Sequence, residues 1–239
     1  GYTPSKNFIK SKHRVKMLSL SNAFDVEDLE NFEKKIFNYL NKKIALEYSV
    51  EPKIDGISAP LTYKNGSMIM GTSRGDGTTG EVITENLKTI KDIPQKITSK
   101  DFPKDIDIRG EVFIKRSEFD KLKNDFANPR NAASGSLRQK NPNETKKIPL
   151  NFVAYTYGYF KSGEIRKQSD FLNSLQRWGF KTNEHNKILN SIDDLINFHK
   201  KFEKERFDLE YDVDGLVYKI NSLEPVSYTH LTLPTTRLV

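Results

Sequence analysis

Apolar residues recur every three or four positions between residues 26 and 40, a spacing that puts them on one face of an α-helix. Asp25 stands directly before this stretch, where a carboxylate can cap the first backbone N–H groups of a helix. The pattern predicts a helix whose apolar face packs into the core, formed by Val26, Leu29, Phe32, Ile36, Phe37 and Leu40.

From residue 45 to residue 73 the pattern changes to alternating apolar and polar positions, which is typical of β-strands. The alternation falls into three runs, 45–56, 57–66 and 67–73. Asn65-Gly66 lies between the second and third runs, and this dipeptide is a strong signal for a tight hairpin turn. We therefore expect three sequential strands, the last two joined as a hairpin.

Strands and helices are mixed along the rest of the chain. The expected helices cover residues 81–89, 116–125, 164–179 and 191–206, with Ser117 predicted to cap the second. The expected strands cover residues 105–115, 150–160 and 214–221. Because there is no regular strand–helix–strand alternation, the predicted fold class is α+β, built on antiparallel sheet.

The composition narrows the class of protein without deciding it. The 239 residues include 39 Lys or Arg and 32 Asp or Glu, a net charge of +7 that permits a polyanionic partner but equally suits any basic soluble protein. The absence of cysteine excludes disulfides and thiolate metal sites within this chain. No apolar run approaches the ~20 residues that span a bilayer and no signal peptide is visible, so a soluble, cytoplasmic protein is expected.

Residues 51–56 read Glu-Pro-Lys-Ile-Asp-Gly, and this run is the first with a chemical interpretation. A lysine amine attacks phosphorus only when it is neutral, so a nucleophilic lysine must be held where it loses its proton easily. Lys53, between acidic residues 51 and 55, is a candidate nucleophile. A charged strand entering a turn is the alternative, and this run alone does not exclude it.

Gly75, Gly77 and Gly80 form a G-x-G-x-x-G pattern between a predicted strand and a predicted helix, as in dinucleotide-binding loops. No second parallel strand ending in an acid follows at the required distance, and Arg74 and Asp76 crowd the turn. We favour a tight loop that presents Arg74 and backbone N–H groups to a phosphate.

Three later segments carry further candidates. Glu111 lies among apolar strand residues, where a carboxylate is costly to bury unless it binds a sugar hydroxyl or a metal; a solvent-facing edge strand is the alternative. Residues 128–139 are rich in small side chains and carry Arg130 and Arg138, which suits close approach to a phosphate or, alternatively, a flexible polar loop. Asp214 and Lys219 are five positions apart, so they face opposite sides of a strand unless a turn at residue 215 resets the register.

Together these segments resemble the adenylation (nucleotidyltransferase) domain of bacterial NAD-dependent DNA ligases, collinearly from about residue 13 to residue 221. Six family motifs match in order: Met-Leu-Ser-Leu at 17–20, Lys-x-Asp-Gly at 53–56, Arg-Gly-Asp-Gly at 74–77, Arg-Gly-Glu-Val at 109–112, the Asn-Pro-Arg block at 128–139 and Asp-Gly-x-Val-x-Lys at 214–219. One match is weak, but six in order are specific. The resemblance implies an α+β nucleotidyltransferase fold with antiparallel sheets flanked by helices.

The resemblance also implies residue roles. Lys53 attacks the adenylyl phosphorus of NAD, forms lysyl-AMP and releases nicotinamide mononucleotide. Asp55 and Asp214 organise this lysine and a magnesium ion, and Lys219 lies on the phosphate. The implied nucleotide-binding residues, with Glu51 on adenine and Glu111 on ribose, are Ser19, Leu20, Glu51, Lys53, Arg74, Glu111 and Lys219. The implied DNA-phosphate or nicotinamide-side contacts are Arg130, Arg138 and Arg206.

The expected cofactors are NAD and Mg²⁺. The expected partners are adenine-containing nucleotides and, for the full-length enzyme, nicked duplex DNA. The protein is expected to be a monomer. Residues 1–226 are expected to form the adenylation domain, without the helical segment that grips nicotinamide mononucleotide. Residues 227–239 are expected to be a non-native tail, and a native edge strand is the alternative. Two rival functions remain: a non-catalytic nucleic-acid-binding domain, and an ATP-dependent ligase or capping enzyme, which is not expected to carry the 128–139 block.

Overall fold

A computed structural model of the chain describes residues 8–19, 22–23, 26–41, 43–122, 125–160, 165–223 and 235–237. The strands in these ranges are β1 Lys10–Lys12, β2 Asn22–Ala23, β3 Tyr48–Ile54, β4 Ile57–Lys64, β5 Ser67–Gly71, β6 Thr79–Glu81, β7 Asp105–Ile114, β8 Leu150–Phe160, β9 Lys187–Leu189, β10 Val213–Ile220 and β11 Thr235–Arg237. The helices are α1 Val26–Leu40, α2 Thr84–Leu87, α3 Arg116–Phe119, α4 Pro129–Ser136, α5 Pro142–Lys146, α6 Gln168–Arg177 and α7 Ile192–Glu205, followed by a 3-10 turn at Arg206–Asp208. Within the described ranges, no helix is both long enough and apolar enough to cross a membrane.

One antiparallel sheet is four-stranded, with the order β5-β4-β7-β8. Side chains alternate along its strands, so each strand has one apolar and one polar face. The apolar face packs into a core with α6 and the β5–β7 connection, and on β7 it consists of Ile106, Ile108 and Val112. The opposite face of β7 carries a row of charged residues, Asp105, Asp107, Arg109 and Glu111.

A second sheet is five-stranded in the described residues, with the order β2-β11-β10-β3-β9. The β11–β2 pair is parallel and the other pairs are antiparallel. One face packs against α1 and α7 in a separate core that includes Tyr48, Val50, Leu216 and Tyr218. Because side chains alternate, the other face of β3 and β10 carries Ser49, Glu51, Lys53 and Lys219.

The helix predicted over residues 26–40 and the three strands predicted over residues 45–73 are confirmed as α1, β3, β4 and β5. Asp25, its predicted cap, lies outside the described residues. The hairpin turn is also confirmed, since Asn65 (φ 48°) and Gly66 (φ 76°) both have the positive φ that a two-residue turn of this kind requires. The antiparallel sheets with flanking helices confirm the predicted α+β class.

Two predicted helices are wrong in part. The segment 81–89 is divided between the end of β6 and the short helix α2, because Glu81 pairs with Lys10 of β1, a partner that local periodicity cannot reveal. Among the described residues of the segment 116–125, helix is limited to the four of α3. Ser117 does not cap it; its hydroxyl donates instead to Glu210 at 2.7 Å.

Residues 128–139 are not the flexible polar loop that the sequence left open. They contain α4, which starts with proline at its first position. Its cap is the Asn128 side chain, which accepts a hydrogen bond from the Asn131 N–H at 2.7 Å. This helix packs against β7 and against the start of β4. The helices predicted over 164–179 and 191–206 appear as α6 and α7, the latter capped by Ser191.

Candidate active site

Strands β3 and β10 bring two lysines and a glutamate onto one face of the five-stranded sheet. Lys53 lies opposite Gly215, Glu51 opposite Val217, and Ser49 opposite Lys219. Directly paired residues of antiparallel strands point to the same face, so Lys53, Glu51 and Lys219 share one surface. The backbone pairing therefore joins the Lys-x-Asp-Gly motif to the Asp-Gly-x-Val-x-Lys motif.

A β-bulge at Asp214 answers the question of register that the sequence left open. Val213 pairs with Ile54 and Gly215 with Lys53, so Asp214 is an extra residue between two paired ones. A bulge turns its side chain away from the regular alternation. As a result, the Asp214 carboxylate contacts the Lys53 ammonium in an ion pair, although strict alternation would have separated Asp214 from the face that carries Lys219.

Glu51 and Lys219 form a buried ion pair beside this contact. The Lys219 ammonium donates to Glu51 Oε2 at 2.7 Å, while Ser49 and Gln168 donate to Oε1 at 3.1 and 2.8 Å. Lys219 also lies near the backbone carbonyl oxygen of Tyr155, at 3.3 Å. The Glu51 carboxylate is therefore held by three donors, and its side chain is 5% exposed.

The glycine of the Lys-x-Asp-Gly motif allows the β3–β4 turn to lie close to β7. A Cβ atom at Gly56 would come within 2.3 Å of the Val112 carbonyl oxygen and 2.9 Å of the Glu111 side chain. No side chain fits in that space, so glycine is required for this approach. Beside the turn, Asp55 accepts a hydrogen bond from Arg130 of α4 at 2.5 Å.

Glu111 lies on β7, opposite Ser58 of β4, and faces this group of charges. It is half-buried, so the solvent-facing alternative is not what the structure shows. Loss of hydration raises the pKa of its carboxyl to about 8, while the nearby positive charges of Lys53 and Arg130 act against that rise. Such a group exchanges its proton near neutral pH and can either donate or accept a hydrogen bond.

Tyr155 is a second residue that a bulge directs toward the site. Arg109 pairs with Thr156 and Gly110 with Ala154, so Tyr155 is the extra residue on β8. Its hydroxyl forms a hydrogen bond of 2.6 Å with Ser58, and its ring centroid lies 5.7 Å from the Lys219 ammonium. The ring is one wall of the space between the two sheets.

The Arg-Gly-Asp-Gly loop brings Arg74 to Ser19, two residues that the resemblance implies for nucleotide binding. The Arg74 guanidinium donates to the Ser19 hydroxyl at 2.9 Å. The expectation that the loop offers its backbone N–H groups to a phosphate is wrong for Thr78 and Thr79, because Asp76 accepts from both, at 2.8 and 2.7 Å. Leu20, the other residue expected there, lies outside the described residues.

The three tentative phosphate-binding arginines have different surroundings. Arg130 is half exposed and lies at the site through its contact with Asp55. Arg138 lies 2.9 Å from the fully buried carboxylate of Glu81, which favours a structural role. Arg206 begins the 3-10 turn after α7, with its guanidinium 5.2 Å from the ring centroid of Phe207.

The described residues contain no group of three or more His, Cys, Asp or Glu side chains able to hold a metal ion. The two carboxylates expected to organise magnesium already bind cationic side chains, Asp55 to Arg130 and Asp214 to Lys53. These residues therefore do not fit a magnesium site made by the protein alone.

The sequence interpretation missed three polar residues of the site: Gln168, Ser58 and Tyr155. Gln168 is buried at the first position of α6 and bridges Glu51 to the Tyr155 carbonyl, at 2.8 Å on each side. No motif pointed to it. For the other two residues the sequence did contain a signal. Ser58 is a polar residue and Tyr155 an aromatic residue with a hydroxyl, each on a strand whose other residues are mostly apolar.

The fold is that of nucleotidyltransferase-type ligases. The chain is similar to an archaeal ATP-dependent RNA ligase, with a TM-score of 0.54 and 14% identity over 94% of this chain and 48% of that one, a likeness that shows the fold alone. The model of the NAD-dependent DNA ligase adenylation domain matches residues 5–230, and the chain belongs to this family.

Two relatives show the extent of the match. A DNA ligase of Pelagibacter ubique (strain HTCC1062) is 60% identical over 226 residues, which are 94% of this chain and 33% of that protein. A DNA ligase of Parvibaculum lavamentivorans (strain DS-1 / DSM 13023 / NCIMB 13966) is 44% identical over 234 residues, again 94% and 33%. The chain thus spans about a third of the length of these relatives.

Proposed function

We propose that this chain is the part of an NAD-dependent DNA ligase that transfers AMP from NAD to Lys53. The observation that supports this most directly is the position of Lys53. Its side chain is 34% exposed, contacts a single carboxylate of Asp214, and faces Glu111 across the space between the two sheets. A nucleophile must reach a bound phosphate, and a partly exposed lysine beside a proton acceptor meets this requirement.

In the proposed step, the Lys53 nitrogen forms a bond to the adenylyl phosphorus of NAD. The phosphoanhydride P–O bond on the other side of that phosphorus breaks, and nicotinamide mononucleotide leaves with the oxygen. Lys53 must first lose a proton, and the Asp214 carboxylate, which already contacts the ammonium, is the group positioned to take it. Breaking the anhydride supplies the leaving group without any other reactant.

The surrounding residues bind and orient the nucleotide in this proposal. Glu111 accepts a hydrogen bond from a ribose hydroxyl, and the Tyr155 ring stacks on the planar base. Arg74 and Lys219 lie on the phosphates and offset the negative charge that develops there. Glu51 has two functions in this proposal. It holds Lys219 in place through their ion pair, and it presents the one lone pair that its three donors leave open to adenine.

Magnesium and DNA enter the proposal through the nucleotide and the nick. Because the described carboxylates already bind cationic side chains, Mg²⁺ would arrive on the phosphates of the nucleotide and supply charge neutralisation there. AMP would then pass to a 5′-phosphate at a nick, with Arg130 and Arg206 as candidate DNA contacts. A monomeric, cytoplasmic protein is part of the same proposal.

The test is to map the site of adenylation. The protein, or a full-length enzyme that carries this segment, is incubated with NAD or, in parallel, with ATP, each labelled in the AMP part. The labelled peptide is then identified by mass spectrometry. We expect label from NAD on Lys53, and none in Lys53→Ala. Label on another lysine would overturn the assignment, and label from ATP alone would favour the ATP-dependent ligase class.

A further inference from the structure

A short N-terminal segment, residues 10–17, crosses the charged face of the four-stranded sheet, and we call it the strap. Its first part is β1, which pairs with β6. Its later part follows the Arg74 loop, since the N–H groups of His13 and Met17 donate to the carbonyl oxygens of Thr78 and Gly77, each at 2.8 Å. The strap therefore forms one side of the loop that carries Arg74.

Arg14 fastens the strap to β7. Its guanidinium makes a two-point contact with Asp107, whose Oδ2 lies 2.9 Å from Nε, and donates to Asp105 at 2.6 Å. Thr62 donates to the same Asp107 carboxylate at 2.7 Å, and the Tyr159 ring centroid lies 4.3 Å from the guanidinium carbon. A forked guanidinium between two carboxylates and a ring is fixed in direction as well as in position.

Arg109 fastens the strap a second time, closer to the nucleotide site. Its guanidinium donates to the carbonyl oxygen of Val15 at 2.6 Å and lies near that of Lys16 at 3.3 Å. On its other side it lies flat over β8 at Gly158, where an added Cβ would come within 2.9 Å of its Nε. Glu111 follows two residues later on the same face of β7.

The row of charges on β7 is thus divided into a covered part of three residues and one residue that stays uncovered. The strap covers Asp105, Asp107 and Arg109, whereas Glu111 is left facing Lys53. The strap ends beside the nucleotide site. Ser19 follows it by two residues, and the Arg74 guanidinium donates to the Ser19 hydroxyl. Gly77 lets the strap lie this close to the loop, since a Cβ there would come within 2.7 Å of the Met17 carbonyl oxygen.

We propose that Arg14 is a positioning residue for the nucleotide site: by locking the strap onto Asp105 and Asp107, it sets the place of Ser19 and Arg74. The contacts of Arg14 are with Asp105, Asp107 and the Tyr159 ring, not with Lys53. The inference rests on the proposed function, because it concerns the nucleotide that this function requires. A mutation at Arg14 is expected to weaken nucleotide binding through Ser19 and Arg74 while both cores remain intact.

Two measurements on the purified chain test this proposal. The first is the rate of tryptic cleavage after Lys10, Lys12 and Lys16 in native protein, which reports release of the strap. The second is the affinity for AMP by calorimetry. In Arg14→Gln we expect roughly tenfold faster cleavage and roughly tenfold weaker AMP binding, the size of effect that follows loss of one charge-assisted hydrogen-bonded contact. Arg14→Lys keeps the charge without the fork and should recover part of both.

A double-mutant cycle separates positioning from general loss of stability. If Arg14 acts through Ser19, then Arg14→Gln with Ser19→Ala weakens AMP binding by less than the product of the two single effects. The matched control is Arg177→Gln, an exposed arginine 3.5 Å from Asp101, which should match the wild type in both measurements. If Arg14→Gln does not fold, Asp105→Asn removes only the outer contact and should give a smaller change in the same direction.

Three results would be decisive against the inference. Strap cleavage or AMP affinity unchanged in Arg14→Gln would overturn it and leave the proposed function standing. Multiplicative effects with Ser19→Ala would show that Arg14 does not act through Ser19. If the wild-type chain binds no AMP, and Lys53 takes no label from NAD, the proposed function fails and this inference fails with it.

Discussion

Lys53 and Lys219 project from the same face of the β3–β10 pair, yet their surroundings differ. Lys53 and its partner Asp214 are 34% and 35% exposed, and the contact depends on a bulged residue. Lys219 is 21% exposed, its partner Glu51 is 5% exposed, and that carboxylate has two further donors. One lysine can leave its partner, whereas the other is fixed. A nucleophile needs the first arrangement, and a cation that holds a phosphate in one place needs the second.

The largest expected effect is the loss of adenylate formation when Lys53 is replaced. Lys53→Met keeps an unbranched side chain one atom shorter and removes the amine, so adenylate formation from labelled NAD should fall below detection. The free energy of unfolding should change by no more than about 1 kcal/mol, because a partly exposed ion pair contributes little. Lys121→Met, at an exposed lysine of the α3 region, is the control. Residual labelling in Lys53→Met would show that another group is the nucleophile.

Replacing Lys219 should lower stability more than replacing Lys53 does. Lys219→Met leaves the buried Glu51 carboxylate with Ser49 and Gln168 as its remaining donors. We expect the free energy of unfolding to fall by about 3–5 kcal/mol, the cost of removing one partner of a buried ion pair. Urea denaturation of Lys219→Met and Lys53→Met side by side measures the difference. Equal stability of the two variants would remove the distinction drawn between the two lysines.

Neutralising both members of the buried pair sharpens the comparison further. Glu51→Gln combined with Lys219→Met removes the unpaired charge, so the double variant should regain about 1–2 kcal/mol relative to Lys219→Met alone. Denaturation of the single and double variants gives the coupling directly. A double variant less stable than Lys219→Met would mean that Glu51 is held by Ser49 and Gln168 and scarcely by Lys219.

The smallest expected effect is on the pH dependence of stability. The pKa of Glu111 is raised to about 8 in the fold, so the unfolded chain ionises this group first as pH increases. Its contribution to stability is therefore complete at low pH and is lost between about pH 4.5 and pH 8. Because Glu111 is half-buried, we expect a loss of only about 1–2 kcal/mol across this range. Thermal unfolding at several pH values should show this slope in the wild type but not in Glu111→Gln.

The same experiment distinguishes the two lysines. The charge of Lys53 lowers the pKa of Glu111, so Lys53→Met should steepen the pH slope. Lys219 is paired with Glu51, so Lys219→Met should change the slope less than Lys53→Met does. An equal change of slope in the two variants, or no change in either, would contradict the assigned geometry.

The strands around the site could be predicted from the sequence because their pattern is local. Alternation over residues 45–73 and the Asn65-Gly66 turn were sufficient for β3, β4 and β5. The collinear motifs located Lys53, Glu111 and Lys219, and the family match to residues 5–230 confirms the resemblance on which their roles depend. Those roles themselves remain predictions.

The remainder of the site could not be predicted because it depends on contacts between distant residues. The bulges that direct Asp214 and Tyr155 exist only relative to a partner strand, and a single sequence contains no information on that register. The helix expected over 81–89 was wrong in part for the same reason, since Glu81 pairs with Lys10 of β1. Gln168 was missed because its burial follows from how α6 meets the five-stranded sheet.

The distance along the chain between Lys53 and Asp214, 161 positions, has a consequence for the time at which reactivity arises. A chain emerging from the ribosome exposes Lys53 long before β10 exists, and closing so large a loop comes late because its entropy must be lost before the strand contacts form. During synthesis Lys53 is therefore an ordinary surface amine. Docking of β10 brings Asp214 and Lys219 to it in one event, so the surroundings that the proposed function requires of Lys53 are complete only when folding is complete.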